Sequence, residues 1–214
     1  ALVLCGYFLL ETDLEKKLKI AFLDVGQGDC SVIHTPDNKI ILVDCGKTSF
    51  VSNSGERIIA PYLKRNSVSR IDLLIITHLH LDHIGGINYL LENFEIGKII
   101  ESGQRYNTAF TNTMDSLILV KNILRETIRT GDYINNIENL RLYFLFPGSE
   151  FANQAGYTLN NNLNNGSVAF ILKYKENEFL FTGDIEKESE NFICDAYSGF
   201  LETDVLKVAH HGSI

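Results

Sequence analysis

The sequence predicts an α+β fold in which helices pack on a core of two sheets. Two observations point there. Short strand-like runs joined by tight turns alternate with segments of helical apolar spacing, so hairpins and βα units share one chain. One run, residues 71–77 (IDLLIIT), is apolar without alternation, as expected of a strand covered on both faces.

Taken in order, residues 18–25 (LKIAFLDV) and 30–34 (CSVIH) read as strands around the turn Gly26-Gln27-Gly28-Asp29, and residues 39–44 (KIILVD) as a third strand ending at Cys45-Gly46. Residues 56–65 carry Ile58, Ile59, Tyr62 and Leu63 at helical spacing, with Pro61 forcing a late start or a bend. The strand 71–77 follows, then a helix over 87–94 and a strand over 97–101. Residues 113–129 place Leu117, Val120, Leu124 and Ile128 on one face, which predicts an amphipathic helix. In the second half, 140–146 (LRLYFLF) is a strand closed by Pro147-Gly148, and 153–165 is an asparagine-rich loop. Residues 168–174 and 178–182 make a hairpin, 185–197 a helix and 204–209 (DVLKVA) a last strand.

A length of 214 residues fits one domain, and 45% hydrophobic residues supply a core. The formal net charge of −8 and the lack of a dense basic run argue against tight grip on duplex DNA. Lys16, Lys17 and Lys19, like Lys64 and Arg65, read as solvated surface. A phosphate substrate stays open where bound cations supply the positive charge. Cys5, Cys30, Cys45 and Cys194 form no C-x-x-C pair and no disulfide framework; Cys30 and Cys45 lie in apolar runs as small hydrophobes. Residues 1–10 (ALVLCGYFLL) are nearly all apolar but shorter than the about 20 residues of a spanning helix. Followed by the charged stretch 11–17, they read as the end of a membrane segment and its linker, with a buried first strand as the alternative. The chain stops just after a strand, at a polar cluster, so a C-terminal truncation is expected.

Three segments carry chemistry. Thr77-His78-Leu79-His80-Leu81-Asp82-His83 follows an apolar strand and precedes Gly85-Gly86. Imidazoles and a carboxylate so close together are the donors that zinc-like ions take, and a merely structural turn has little need of four of them. Phe181-Thr182-Gly183-Asp184 also ends an apolar strand; its aspartate can bridge two cations, although Gly-Asp alone is a common turn. His210-His211-Gly212-Ser213 ends the strand 204–209. Adjacent histidines point in different directions, one as a ligand and one toward substrate, and taken alone a pair of surface histidines is an equal reading.

The pattern His78-x-His80-x-Asp82-His83 resembles the signature of the metallo-β-lactamase superfamily. Phe22-Leu23-Asp24-Val25-Gly26-Gln27-Gly28-Asp29, Val43-Asp44-Cys45-Gly46, Asp72 to His78, Gly131-Asp132, Asn165-Gly166-Ser167-Val168, Thr182-Gly183-Asp184 and Lys207 to Ser213 narrow it to the hydrolase domain of ComEC-type competence proteins. The resemblance spans residues 18–213. It implies an αββα four-layer sandwich with the site at one edge, and a division into 1–17, membrane end and linker, and 18–214, hydrolase domain.

What the resemblance implies about the site is specific. Two divalent cations, zinc or manganese, are expected: His78 and His80 on one, Asp82 and His83 on the other, Asp184 between them. His211 is the first choice for the remaining ligand and His210 the second. Asp44 would brace the histidine loop. Asp82, which orients the attacking water, and His210 are the expected catalytic contacts. No histidine lies between His83 and His210, where many superfamily members have one, so occupancy by a single ion is also open. Asn165 and Ser167 stand there instead, as candidate contacts to a phosphate oxygen. The implied activity is phosphodiester hydrolysis: degradation of the non-imported DNA strand during uptake, on the extracytoplasmic side of the cell membrane. Single-stranded DNA would be the substrate and the membrane channel portion of the same protein the partner. The alternatives are hydrolysis of a small phosphoester or β-lactam, and a DNA-positioning module without turnover.

Overall fold

The computed structural model describes residues 17–148 and 162–212. All but the last residue of the membrane end and linker expected over 1–17, and most of the asparagine-rich loop 153–165, lie outside the described residues. Among those described, no helix is long and apolar enough to cross a membrane.

Two sheets form the centre. The first has the order β1 (Lys19–Phe22), β2 (Ser31–His34), β3 (Ile40–Val43), β5 (Leu73–Ile76), β7 (Lys98–Glu101) and β8 (Leu124–Thr127). Its β1–β2–β3 part is antiparallel, and from β3 to β8 neighbours run parallel. The second has the order β13 (Val205–Lys207), β12 (Asn177–Phe181), β11 (Ala169–Tyr174), β10 (Leu140–Phe146) and β9 (Tyr133–Ile137). It is antiparallel except for β12–β13. A small parallel pair joins β4 (Arg70–Ile71) to β6 (Glu95–Ile96).

The period-2 alternation of side chains divides the core into layers. In β3, Ile41 and Val43 face the second sheet, whereas Ile40 and Leu42 face the helices; in β5, Leu73 and Ile75 point inward and Leu74 and Ile76 outward. The helix layer outside the first sheet holds α1 (Ala60–Arg65), α2 (Leu81–Ile84), α3 (Ile87–Asn93) and α4 (Ala109–Val120), with Leu63, Leu90, Met114 and Ile118 packed on it. Outside the second sheet, α5 (Lys187–Tyr197) covers Leu145, Ala169 and Ile171 through Ile193. Helix, sheet, sheet and helix therefore stack in four layers. Cys30 and Cys45 are free and buried, as expected of small hydrophobes.

Two differences from the sequence reading have clear causes. The helix expected over 113–129 ends at Val120. Asn122 adopts a left-handed backbone (φ 52°), which terminates the helix, and residues 124–127 continue as edge strand β8. The apolar spacing misled because Leu119, Val120 and Leu124 are exposed, whereas Thr111, Met114 and Ile118 are the face that packs. The helix expected over 56–65 begins as a wide π turn at Gly55–Ile59 and becomes regular at Ala60, with Pro61 in its first turn, where a missing N–H costs nothing.

Between the sheets, Phe170 stacks on Phe181 (centroids 4.8 Å apart, 6° between planes) and tilts against Phe144 at 5.8 Å. Phe170→Ala is expected to lower unfolding free energy by about 3–5 kcal/mol, the range for truncating a buried aromatic. Urea unfolding checks this; a loss below about 1 kcal/mol would mean that the sheets do not pack as described.

Candidate metal centre

Two loops of the first sheet meet through a buried carboxylate. Asp44, in a left-handed conformation (φ 59°) just past β3, is almost inaccessible. Its Oδ1 accepts the Thr77 N–H (2.8 Å), its Oδ2 accepts the Thr77 hydroxyl (2.7 Å), and His83 Nδ1 lies 2.9 Å from Oδ2. The Cys45 N–H donates to the His83 carbonyl at 2.6 Å. These contacts tie the end of β3 to the histidine loop.

The imidazole so held turns its other nitrogen outward. His83 Nε2 is 3.1 Å from Asp184 Oδ2. Asp184 comes from the second sheet, just past β12, and its N–H donates to Ser167 Oγ at 3.1 Å. Gly183 precedes it at φ 56°; a Cβ there would sit 2.8 Å from the Ser167 Cβ and 3.0 Å from the Thr77 Cβ, so only glycine lets the two sheet ends close. From past β13, His211 Nε2 lies 3.6 Å from both Asp184 Oδ2 and Asp82 Oδ2, and its ring stacks 5.4 Å from that of His83. Asp29, His83, Asp184 and His211 each offer one donor atom, all within 4.8 Å of one another, a group able to hold a metal ion.

Asp29 was not singled out as a ligand by sequence reasoning. It lies far along the chain from the other donors, and the only signal was its place at the end of a glycine turn. That turn docks on the histidine loop: the Asp29 N–H donates to the Asp82 carbonyl at 3.2 Å. A Cβ on Gly28 would meet that carbonyl oxygen at 2.4 Å, and its φ is +138°, so glycine is required there too.

The other expected residues fall into place unevenly. His78 is buried with Nε2 4.0 Å from Asp184 Oδ2, but its nearer contact is His80 Nδ1 at 3.0 Å. His210 donates its N–H to the Gly183 carbonyl at 3.3 Å, while His211 is the one facing the carboxylates. Both have left-handed backbones (φ 48° and 54°), which turn the chain sharply just past β13. Asn165 is engaged elsewhere. Its Oδ1 accepts the Glu186 N–H (2.9 Å) and the Ser189 hydroxyl (3.0 Å), and its Nδ2 donates to Glu188 Oε2 (2.7 Å), so it fastens the start of α5. Ser167 reaches the site through the backbone of Asp184.

Burial alone would lower the His83 pKa, but the Asp44 and Asp184 carboxylates override it and raise it from 6.5 to about 10. Burial would raise Asp184, yet His83, followed by His211 and His210, holds it low. His78 is driven well down, by burial first and then by the neighbouring imidazoles. The donor set fits a cation on an independent ground. The buried Asp184 Oδ1 has no hydrogen-bond partner among the described residues, and the buried His83 Nε2 faces only the Asp184 Oδ2 carboxylate oxygen at 3.1 Å, a costly arrangement that an ion relieves. A cation taking His83 Nε2 must displace its proton. Zinc uptake by metal-free protein at about pH 8 is therefore expected to release about one proton, with affinity rising as pH increases toward the His83 pKa. Calorimetry in buffers of different ionisation enthalpy measures this; a buffer-independent heat would contradict it.

A model of the metallo-beta-lactamase superfamily matches residues 23–214. Among curated proteins, ComE operon protein 3 of Bacillus subtilis (strain 168) is 26% identical over 212 residues, covering 94% of this chain and 26% of that protein. An RNase J-like protein of Methanocaldococcus jannaschii is 27% identical over 177 residues, covering 83% of this chain and 38% of its own length. The chain thus spans between a quarter and two fifths of these relatives. Among solved structures, CmlA, a diiron beta-hydroxylase from Streptomyces venezuelae, superposes with a TM-score of 0.51 at 14% identity, over 89% of this chain and 34% of that one. Four layers, ligand-type residues at the strand ends and a family match over almost the entire length agree: the chain belongs to the metallo-beta-lactamase superfamily.

Proposed function

We propose that this chain is a metal-dependent phosphodiesterase that cleaves DNA, degrading the non-imported strand during competence-linked uptake. The observation that carries the reading is the convergence of Asp29, His83, Asp184 and His211 from both sheets, with the buried Asp184 Oδ1 left without a hydrogen-bond partner among the described residues, at a rim where Asp29 and His211 are partly exposed. An open groove of about 560 Å³, lined by Phe22, Asp29, Leu206, Lys207 and His211, adjoins the cluster and gives a substrate room. The similarity to ComE operon protein 3 and to an RNase J-like protein supports a nucleic-acid substrate. The former also favours the uptake setting, which would put the domain on the extracytoplasmic side of the membrane beside the channel portion of the same protein.

In this reading two divalent cations, zinc or manganese, are held by His78, His80 and Asp184 and by Asp82, His83, Asp184 and His211. Such ions, when bound, activate water and neutralise phosphate oxygens. The residues of the chain do the rest. Asp184 sets the spacing between the two halves of the cluster. Asp82, half-exposed at the start of α2, orients the attacking water and takes its proton. His210 contacts the phosphate from the turn past β13. Ser167 fixes Asp184, and Asn165 acts through α5 rather than on substrate. The net charge of −8 makes productive contact with DNA depend on the cations and favours flexible single strands over duplex.

Asp82→Asn is expected to lower cleavage of a labelled single-stranded oligonucleotide by about 10²–10⁴-fold, the contribution of a positioned proton-transfer group. His83→Ala and Asp184→Asn should reduce it to background in manganese or zinc. Gel-resolved cleavage rates provide the check. Variants as fast as the parent would overturn the reading. Turnover of a chromogenic phosphodiester with no cleavage of DNA would favour a small phosphoester instead.

A further inference from the structure

We propose that Asp29 is a positioning residue for His211. Held by Lys207, its carboxylate presents the imidazole so that Nε2 faces Asp82 and Asp184. The proposal rests on the reading of His211 as a ligand.

The order of groups follows that around His83, but at ion-pair rather than hydrogen-bond distance. There, Nδ1 faces Asp44 at 2.9 Å and Nε2 faces Asp184 at 3.1 Å. In His211, Nδ1 faces Asp29 Oδ1 at 3.6 Å and Nε2 faces Asp184 at 3.6 Å. An imidazole ligating through Nε2 must keep its proton on Nδ1, and a carboxylate on that side selects this tautomer and ring orientation. Asp29 is fixed for the task from three directions. Lys207 Nζ pairs with its Oδ2 at 2.7 Å, its N–H donates to the Asp82 carbonyl, and its own carbonyl accepts the Gly46 N–H at 2.8 Å. Lys207 lies on β13, four residues before His211, so the strand that delivers the histidine also delivers the cation that holds its carboxylate. The Asp29 carboxylate oxygens face different partners, Oδ2 the lysine and Oδ1 the imidazole. Asp44 is buried, whereas the Asp29 side chain retains 14% exposure, so the second relay is the softer one.

The test compares zinc affinity by chelator competition, metal content, and the visible spectrum of the cobalt(II)-loaded protein in the parent, Asp29→Ala, Asp29→Asn and His211→Ala. Asp29→Ala is expected to weaken zinc about 10–100-fold, as loss of a partner behind a ligand does, with metal content at saturation and cobalt band positions unchanged. Asp29→Asn, whose amide oxygen still accepts, should lose less and keep the parent's thermal unfolding curve. His211→Ala should lose an ion. Cobalt bands shifted by Asp29→Ala, or an ion lost as in His211→Ala, would make Asp29 a direct ligand and overturn the proposal. An unchanged zinc affinity would reduce Asp29 to a partner of Lys207 and overturn it as well. If the parent itself takes up no zinc or cobalt, the metal reading falls first. If it binds metal but does not cut DNA, only the nuclease reading falls, and these comparisons stand.

Discussion

Asp44 accepts two hydrogen bonds from Thr77 and faces a ring nitrogen of His83, and the geometry of the rim depends on these contacts. A carboxylate this buried is unfavourable unless its oxygens are satisfied, and each hydrogen bond to a charged group returns roughly 1.5–3 kcal/mol. Burial still pushes its pKa upward, with His83 and Thr77 opposing. The contacts join the ends of β3 and β5 and fix which nitrogen of His83 faces Asp184. Without them the histidine loop would keep its sequence but lose its aim.

The second constraint is the seam between the sheets. The first sheet supplies Asp29, Asp44 and residues 78–83; the second supplies Asp184 and His211. The seam is crossed by the Val168 N–H donating to the Thr77 carbonyl at 2.9 Å, while within the second sheet Ser167 Oγ accepts the Asp184 N–H and the Thr182 hydroxyl donates to the Lys207 carbonyl at 2.6 Å. Three carboxylates, Asp29, Asp82 and Asp184, gather around His211 within 3.6 Å. Such a concentration of negative charge calls for cations, and it explains why an acidic protein can still be read as acting on a polyanion.

Much of this was legible in the sequence, for physical reasons. Ligand-type residues crowded over 78–83 just past a doubly buried strand need no tertiary information to be noticed, and Asp184 and His211 follow the same strand-end rule. The two-sheet core follows from continuous apolar runs such as residues 71–77, whereas the four-layer order came from the family resemblance. Other features were hidden. Asp29 joins the cluster only through folding, and Asn165 reads as a phosphate contact until α5 claims its amide. Strand β9 (YINNI) was missed because an edge strand carries polar residues, and β8 because an exposed edge and the end of α4 together mimic helical spacing.

Anomalous diffraction from crystals soaked in manganese or zinc tests the central claim most directly. The account predicts density bounded by His83 Nε2, Asp184 and His211 Nε2, with a second ion toward His78 and His80. Ions bound only elsewhere, or a rim that stays free of anomalous signal at saturating metal, would contradict it.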